Sequence, residues 1–162
     1  MQVILGIHDG HHSNACLFID NKLICGVAEE RVTRIKSEYG YPINAIKYCL
    51  KYAKIRKKDI NIVALSTINL PPKYSMVKRA TTFSVKDYYK EQEEYWYPKF
   101  YKSSNPRYVD IFKEKIKSID SPYDYGFIKD EDDTKGMLRS RKDLIERDLN
   151  INQEHIKVFD HH

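Results

Sequence analysis

Residues 3–28, VILGIHDGHHSNACLFIDNKLICGVA, decide the fold of this chain. They contain three short apolar runs in close succession, at residues 3–7, 15–19 and 23–28. Residues 20–22, Asp-Asn-Lys, separate the last two runs and tolerate a tight bend. Apolar runs of this length, bounded by turn residues, are typical of β-strands. The segment therefore predicts a meander of three strands.

A helix and a fourth strand follow the meander. Pro42 opens the helix as its first residue, and apolar residues then recur at helical spacing. Asp59 introduces the fourth strand, residues 60–65, whose continuous apolar character predicts burial on both faces. This order of elements is that of the ribonuclease-H-like or actin-like α/β fold, a mixed sheet in which the fourth strand lies beside the first. The apolar helix positions are Ile43, Ile46, Cys49, Leu50 and Ala53.

The middle of the chain predicts a helical insertion, about residues 73–135, that is rich in tyrosine and other aromatic residues. We expect a first helix over Val85–Tyr97 that ends at Pro98, because proline breaks a helix interior. Two later helices are separated by a polar, acidic loop at 121–135, and a last strand follows at 156–159. The apolar positions are Val109, Phe112, Ile116 and Ile119 in one of these helices, and Leu138, Leu144, Ile145 and Leu149 in the other.

Length and composition fit one soluble globular domain. The 162 residues are 31% charged and 41% hydrophobic, with a formal net charge of +5. No apolar run approaches the ~20 residues of a membrane span. Cys16, Cys25 and Cys49 are odd in number and lack metal-binding spacing, so we interpret them as buried free thiols of a cytoplasmic protein.

Two features are compatible with nucleic-acid binding, but we interpret both as structural features of the fold. The basic cluster at residues 54–58 lies at a predicted helix end, where cations interact favourably with the helix dipole. The aromatic stretch is interleaved with lysines, as in a base-stacking platform. Such a stretch more often packs as an amphipathic insertion. We therefore expect neither nucleic acid nor a membrane as partner.

The loop after the first strand, residues 8–14 (HDGHHSN), combines an acid, a glycine and three histidines. A turn of this kind holds phosphate in actin-like ATPases, because glycine lets the backbone approach and amide groups face the anion. Asp9 and Gly10 are therefore candidate phosphate-binding residues. Imidazole also serves as a general base or a metal ligand near neutral pH. The alternative is a solvated turn in which His8 and His12 merely hydrogen-bond the backbone.

A second charged cluster, residues 29–36 (EERVTRIK), follows the third strand directly. Alternating acids and bases can form a surface patch of salt bridges, which contributes little to stability. Ligands, however, bind at the carboxyl ends of strands in open α/β sheets. Arg31, Arg34 and Lys36 are therefore candidates to bind a phosphate or carboxylate, and arginine suits forked contacts to such groups.

The chain stops at residues 160–162, Asp-His-His, directly after the predicted strand 156–159. Strand ends present metal ligands in α/β enzymes, yet two neighbouring histidines cannot complete a site of four or more ligands. Neighbouring residues of an extended strand also point to opposite faces. We therefore interpret the chain as the front portion of a longer enzyme, cut within a motif. A remnant of a purification tag is the alternative.

These motifs, in this order, resemble the N-terminal domain of the O-carbamoyltransferases, the nodulation-protein and antibiotic-tailoring family. The resemblance rests on residues 11–17 (HHSNACL), 29–36 (EERVTRIK), 41–42 (YP) and 160–162 (DHH). Residues 92–98 (QEEYWYP) are similar to the family's insertion. Two positions depart from the family pattern, since His12 stands where an aspartate is usual and Val32 where a phenylalanine is usual.

The resemblance implies an actin-like catalytic domain related to the tRNA threonylcarbamoyl-transferase. The expected activity is transfer of a carbamoyl group from carbamoyl phosphate to a small-molecule hydroxyl, through a carbamoyl-adenylate made with ATP. An iron-type divalent metal ion would position the activated group. His11 matches the family's catalytic histidine, and we expect His12 to point elsewhere. His161 matches the first metal-binding histidine of a His-x-x-x-His motif, and Lys36 the basic residue that closes the Glu-Glu-Arg block.

The resemblance predicts that residues 1–162 are the N-terminal part of this transferase domain, inactive alone and completed by the remainder of the chain. Two other interpretations stay open. One is an actin-like ATPase or sugar kinase in which Asp9 holds magnesium, and the other is a non-catalytic RNA-binding or scaffold domain. Adjacent histidines argue against the kinase, since magnesium prefers oxygen ligands. The acceptor, the identity of the metal and a homodimeric state are left open.

Overall fold

The sheet and the aromatic-rich middle of the chain belong to separate compact units. The computed structural model describes residues 1–66, 77–78, 81–119, 122–123 and 134–160. Contacts between residues divide the chain into one unit of residues 1–70 with 141–162 and a second unit of residues 71–140. The predicted insertion, about residues 73–135, falls inside the second unit.

The first unit contains a mixed five-stranded sheet in the order β3-β2-β1-β4-β5. Strands β1, β2 and β3 form an antiparallel meander, β4 runs parallel to β1, and β5 runs parallel to β4. The predicted α/β class, the meander and the position of the fourth strand beside the first are confirmed. The strands are β1 Val3–His8, β2 Asn14–Ile19, β3 Lys22–Ala28, β4 Ile62–Ser66 and β5 Ile156–Phe159.

One face of this sheet forms the core. Alternate residues of a strand point to opposite faces, and in β1 the residues at alternate positions are fully buried while those between them are partly exposed. Strand β4 follows the same alternation, with Val63 and Leu65 buried. The expectation that β4 is buried on both faces was wrong. The parallel register aligns Val63 with Leu5 and Leu65 with Ile7, so only one face of the apolar run enters the core.

Helix α2, Ile43–Ala53, packs its apolar stripe against the meander, and the short helix α1, Glu29–Thr33, precedes it. The predicted helix is confirmed, although Pro42 stands just before its first residue. Cys49 is fully buried on this stripe, and its thiol donates to the carbonyl of Ala15, with 3.7 Å between sulfur and oxygen. A 3₁₀ turn, Lys57–Asp59, leads into β4.

Helix α3 of the middle segment, Val85–Glu91, continues through a π-helical turn, Gln92–Trp96, into helix α4, Tyr97–Tyr101. The expectation that Pro98 ends the helix was therefore wrong. The amide of Tyr97 donates to the carbonyl of Gln92, one residue further back than in an α-helix. This wider turn restarts the helix, so that Pro98 falls in the first turn of α4, where a missing N–H is tolerated.

Two short helices follow in place of the single one that the sequence predicts. They are α5, Tyr108–Ile111, and α6, Lys113–Lys117. The chain leaves the helical range at Phe112, with φ −110° and ψ 26°, and the ring of Phe112 packs into an apolar cluster. This cluster of the second unit contains Val77, Tyr95, Tyr108 and Phe112.

The aromatic residues of the middle segment divide between this cluster and the surface. Tyr95 and Tyr108 are buried, and their rings meet edge to face at 5.0 Å. Tyr97 and Tyr101 are exposed and stack on each other one helical turn apart. The predicted amphipathic packing therefore describes only part of the stretch. Most of the predicted loop at 121–135 lies outside the described residues.

Helix α7, Thr134–Leu149, and a 3₁₀ turn, Gln153–His155, lead into β5. The predicted helix is confirmed, with Leu144, Ile145 and Leu149 buried. Its last turn is held by Asp148, which accepts hydrogen bonds from the Tyr41 hydroxyl at 2.9 Å and the Lys57 ammonium at 2.8 Å. Within the described residues, no helix combines the length and apolar character needed to cross a membrane.

Candidate active site

The two charged clusters of the sequence meet at one edge of the sheet. His8, the last residue of β1, lies opposite Asn14 of β2, and Asn14 lies opposite Ala28, the last residue of β3. The histidine loop, which we define as residues 9–13, therefore begins beside the charged segment, residues 29–36. Strands β4 and β5 run parallel to β1, so their carboxyl ends lie at the same edge.

Backbone hydrogen bonds join the histidine loop to the residues around the charged segment. The Glu29 amide donates to the Ser13 carbonyl at 2.8 Å, and the Ser13 amide donates to the Glu38 carbonyl at 3.0 Å. An isolated bridge also pairs His11 with Tyr39. These contacts make the loop and the segment one structural element, although 15 or more residues separate them in the sequence.

His8 fixes the histidine loop to the end of β4. Its Nδ1 lies 2.8 Å from the Ser66 hydroxyl, and its Nε2 lies 3.1 Å from the backbone carbonyl of His11. A carbonyl oxygen only accepts hydrogen bonds, so Nε2 carries the proton of the ring and the Nδ1 of a neutral ring accepts from Ser66. Gly10 lies against this ring, since a Cβ atom at Gly10 would be 3.0 Å from it. The close approach explains why this position has no side chain.

His11 and His12 are both exposed, and their ring centroids are 4.0 Å apart. The expectation that His12 points elsewhere was therefore wrong. His12 takes a left-handed backbone conformation, with φ 59°, which is uncommon for a residue other than glycine. Its Nδ1 lies 3.8 Å from the Glu30 carboxylate. This carboxylate also accepts the Ser37 amide at 2.9 Å, and that hydrogen bond is the main reason why the pKa of Glu30 is lowered.

Asp9 forms a forked ion pair with Arg141 of helix α7. Arg141 Nε and Nη2 donate to the two carboxylate oxygens at 2.8 and 2.6 Å. The side chains are 0% and 1% exposed. Arg141 Nη2 also donates to the Ser66 carbonyl at 3.1 Å. The phosphate-binding role of Asp9 and Gly10 stays a prediction, and the structure gives the Asp9 carboxylate a protein partner.

Glu29 is buried and acts as a cap for helix α2. Its Oε1 accepts hydrogen bonds from the backbone amide and the side-chain amide of Asn44, at 3.0 and 2.7 Å, and its Oε2 accepts the Ala45 amide at 2.6 Å. Pro42, which directly precedes the helix, provides no side-chain cap. A carboxylate from a distant segment thus satisfies amides of the first helical turn, which have no partner within the helix.

The three basic candidates of the charged segment are all exposed. Arg31 lies on α1 and approaches Glu30, while Arg34 ends α1 in a left-handed conformation, with φ 67°. Lys36 follows two residues later. Their exposure leaves them accessible to an anion at this edge of the sheet, and their predicted role in binding one stays a prediction.

Arg141 and Glu29 are the residues of this region whose roles the sequence does not reveal. Arg141 is 132 residues from Asp9 in the sequence, and it lies in a helix that contains several other basic residues. The available signal is its spacing, because Arg141 falls on the same helical stripe as the buried Leu144 and Ile145. A charge on a buried stripe indicates a buried partner.

The described residues do not by themselves fit a metal ion. Among them, no three His, Cys, Asp or Glu side chains come together in an arrangement that could hold one. Both ring nitrogens of His8 already have hydrogen-bond partners. The expected ligand, His161, lies outside the described residues, and so does His162.

Comparison with known families identifies the chain. A model of the carbamoyltransferase N-terminus matches residues 3–146. The chain belongs to this family. The resemblance seen in the sequence is thereby confirmed, and membership of the carbamoyltransferases makes the protein a member of a transferase family.

Curated relatives of this carbamoyltransferase chain share shorter segments with it. An uncharacterized protein of Methanocaldococcus jannaschii is 33% identical over 66 residues, which are 41% of this chain and 12% of that protein. The nodulation protein NolNO of Sinorhizobium fredii is 41% identical over 58 residues, 36% of this chain and 8% of NolNO. An uncharacterized 19.2 kDa protein of Rhizobium etli is 39% identical over 54 residues, 33% of this chain and 32% of that protein. The chain thus matches only a small part of the length of these relatives.

Proposed function

We propose that the protein is the N-terminal part of a ribonuclease-H-like or actin-like catalytic domain that transfers a carbamoyl group to a hydroxyl of a small molecule. The donor is carbamoyl phosphate, which is activated with ATP as a carbamoyl-adenylate. Membership of the carbamoyltransferase family over residues 3–146 carries this proposal. The meeting of the histidine loop and the charged segment at one sheet edge supports it.

His11 is the proposed general base. It is exposed on the histidine loop, and its backbone carbonyl is held by His8. A neutral imidazole accepts the proton of the acceptor hydroxyl while the hydroxyl oxygen attacks the carbamoyl carbon. The new bond between carbon and the acceptor oxygen forms as the bond from that carbon to the adenylate phosphate oxygen breaks. AMP leaves with the electron pair of the broken bond.

Arg31, Arg34 and Lys36 are the proposed anion-binding groups. The leaving AMP carries negative charge on its phosphate, and arginine donates in a fork that matches phosphate oxygens. Asp9 and Gly10 are proposed to shape the adjacent loop for the same anion. Because the phosphate bears more charge as the bond to carbon breaks, cations placed beside it lower the barrier to transfer.

The proposal also includes a metal ion and the formation of the carbamoyl-adenylate. The ion, a divalent metal of the iron type, would be held in part by His161 and would supply a positive charge near the carbamoyl oxygen. The adenylate-forming domain would lie in the rest of the enzyme. We further propose a cytoplasmic location, since the small-molecule acceptor, ATP and carbamoyl phosphate are available there. None of the steps assigned to His11 or to the basic residues depends on the metal.

The test uses the complete enzyme and the protein of residues 1–162 side by side. Carbamoyl-adenylate formation is measured by ATP–pyrophosphate exchange in the presence of carbamoyl phosphate. Transfer is measured with radiolabelled carbamoyl phosphate and a panel of hydroxylated small molecules. We expect the complete enzyme to perform both reactions and residues 1–162 to perform neither. Absence of exchange and of transfer in a folded complete enzyme would refute the proposed function. Transfer by residues 1–162 alone would refute the proposal that they need the rest of the enzyme for activity.

A further inference from the structure

The ion pair between Arg141 and Asp9 is the most deeply buried charged contact among the described residues. Both side chains are essentially inaccessible to solvent, at 0% and 1% exposure. Two parallel hydrogen bonds, at 2.8 and 2.6 Å, define the orientation of the Asp9 carboxylate relative to the guanidinium plane. The contact therefore constrains direction as well as distance.

Stability alone is a poor explanation for this pair. The desolvation of two buried charges offsets most of their attraction, and apolar side chains of similar volume often serve as well or better. A buried forked pair does have one property that an apolar pair lacks, because it specifies one geometry.

The contacts of Arg141 converge on the histidine loop. Arg141 holds Asp9, the first residue of this loop, and the backbone carbonyl of Ser66 at the end of β4. The hydroxyl of the same Ser66 pairs with the ring of His8, which also holds the carbonyl of His11. Two routes thus fasten the loop to the end of β4, one through Arg141 to Asp9 and one through His8 to the backbone carbonyl of His11.

We propose that Arg141 is a positioning residue that sets the conformation of the histidine loop and thereby the place of the His11 imidazole. This inference rests on the proposed function, because it assigns His11 the proton transfer that the positioning serves. Arg141 acts through Asp9 and the Ser66 carbonyl. Proton transfer requires close approach between base and hydroxyl, so a displacement of about 1 Å is enough to slow transfer on the order of a hundredfold.

The experiment removes both charges at once in the complete enzyme. The double variant Asp9→Leu with Arg141→Met leaves no unpaired buried charge, so its fold is preserved better than that of either single variant. We expect transfer to fall by about a hundredfold in kcat, with the KM for the acceptor changed by less than about threefold. Hydrogen exchange of the amides of residues 10–12 should accelerate.

Arg141→Lys keeps the positive charge but cannot form the forked pair of hydrogen bonds. This variant tests the inference if the double variant does not fold. It should retain the parent circular dichroism and lose about tenfold in transfer, because a single ammonium cannot hold both carboxylate oxygens in a fixed plane. A folded double variant, or a folded lysine variant, that transfers at the parent rate with unchanged loop exchange would overturn the inference. A parent enzyme without any transfer would instead refute the proposed function, so the two failures are distinguishable.

Discussion

Replacement of Glu29 by glutamine should destabilise the sheet-containing unit through helix α2. The Glu29 carboxylate accepts three hydrogen bonds from residues of the first helical turn, and it is only 3% exposed. Glutamine has nearly the same shape but offers a single acceptor oxygen. That oxygen can keep both bonds from Asn44, while the new NH₂ group would face the Ala45 amide, donor against donor.

The magnitude follows from these contacts. A hydrogen bond to a buried charged group contributes about 1.5–3 kcal/mol, so the loss at Ala45 costs roughly 2 kcal/mol. The negative charge at the start of α2 contributes up to ~1 kcal/mol more through the helix dipole. Glu29→Gln should therefore lower the free energy of unfolding by about 3 kcal/mol. With a urea m-value of roughly 2 kcal/mol/M, the unfolding midpoint falls by about 1.5 M.

Urea unfolding followed by far-ultraviolet circular dichroism measures this change, and amide hydrogen exchange locates it. The Ala45 amide should show the largest acceleration of exchange in the variant, with Asn44 next. Glu154→Gln is the matched control, because the Glu154 side chain is 74% exposed and pairs with the neighbouring residue His155. A midpoint shift in Glu29→Gln no larger than in this control, with unchanged exchange at Ala45, would refute the capping role.

Two further predictions concern side chains whose pKa values are shifted in the folded protein. Burial raises the pKa of the Cys49 thiol to about 12. Alkylation of this thiol by iodoacetamide at pH 8 should therefore be over a hundredfold slower in the native protein than in the urea-unfolded protein. Peptide mass spectrometry measures both rates, and equal rates would contradict the prediction. Because this folded pKa lies above the unfolded one, the stability contributed by the protonated thiol is complete below about pH 8.5 and is lost as pH rises towards 12. Hydrogen bonds from the Ser84 hydroxyl and amide lower the pKa of Asp87 to about 2, so its contribution is present above about pH 4 and is lost as pH falls towards 2. Trp96 fluorescence during acid titration should show this loss in the parent and a flatter profile in Asp87→Asn, and identical profiles would contradict it.

The sequence predicts those parts of the fold that local pattern controls. The short apolar run at residues 3–7 is enough to predict β1, and the stripe of Ile46, Cys49 and Leu50 is enough to predict α2. The middle segment was predicted less well, because backbone detail decides it. Pro98 is accommodated by a π-helical turn, and the helix over 108–117 is interrupted at Phe112.

In the candidate site, too, the sequence predicts what local pattern controls and misses what tertiary contacts control. The histidine loop and the charged segment could be found from the sequence because each directly follows a predicted strand. Their partners could not be found in that way, since Arg141 and Asn44 are brought to Asp9 and Glu29 only by the folded sheet. Glu29 in particular belongs to a run of alternating charges that is typical of an exposed surface, yet its carboxylate is buried. No periodic pattern marks the burial of Glu29, and the helical spacing of Arg141 indicates its burial without indicating Asp9 as its partner.

The central claim is that His11 is the base for carbamoyl transfer, and His11→Asn in the complete enzyme tests it most directly. Asparagine keeps the approximate size and a hydrogen-bonding group but cannot accept a proton at neutral pH. His155→Asn is the matched control, because His155 lies at the amino-terminal end of β5, whereas the histidine loop lies at the carboxyl ends of the parallel strands.

The measurement compares the two half-reactions in each variant. We predict that His11→Asn forms carbamoyl-adenylate at the parent rate and transfers the carbamoyl group about a hundred- to ten-thousandfold more slowly. His12→Asn should cost much less, since the His12 ring is engaged with Glu30, and His155→Asn should not change either rate. Transfer by His11→Asn near the parent rate, or a larger loss in His12→Asn than in His11→Asn, would contradict the account.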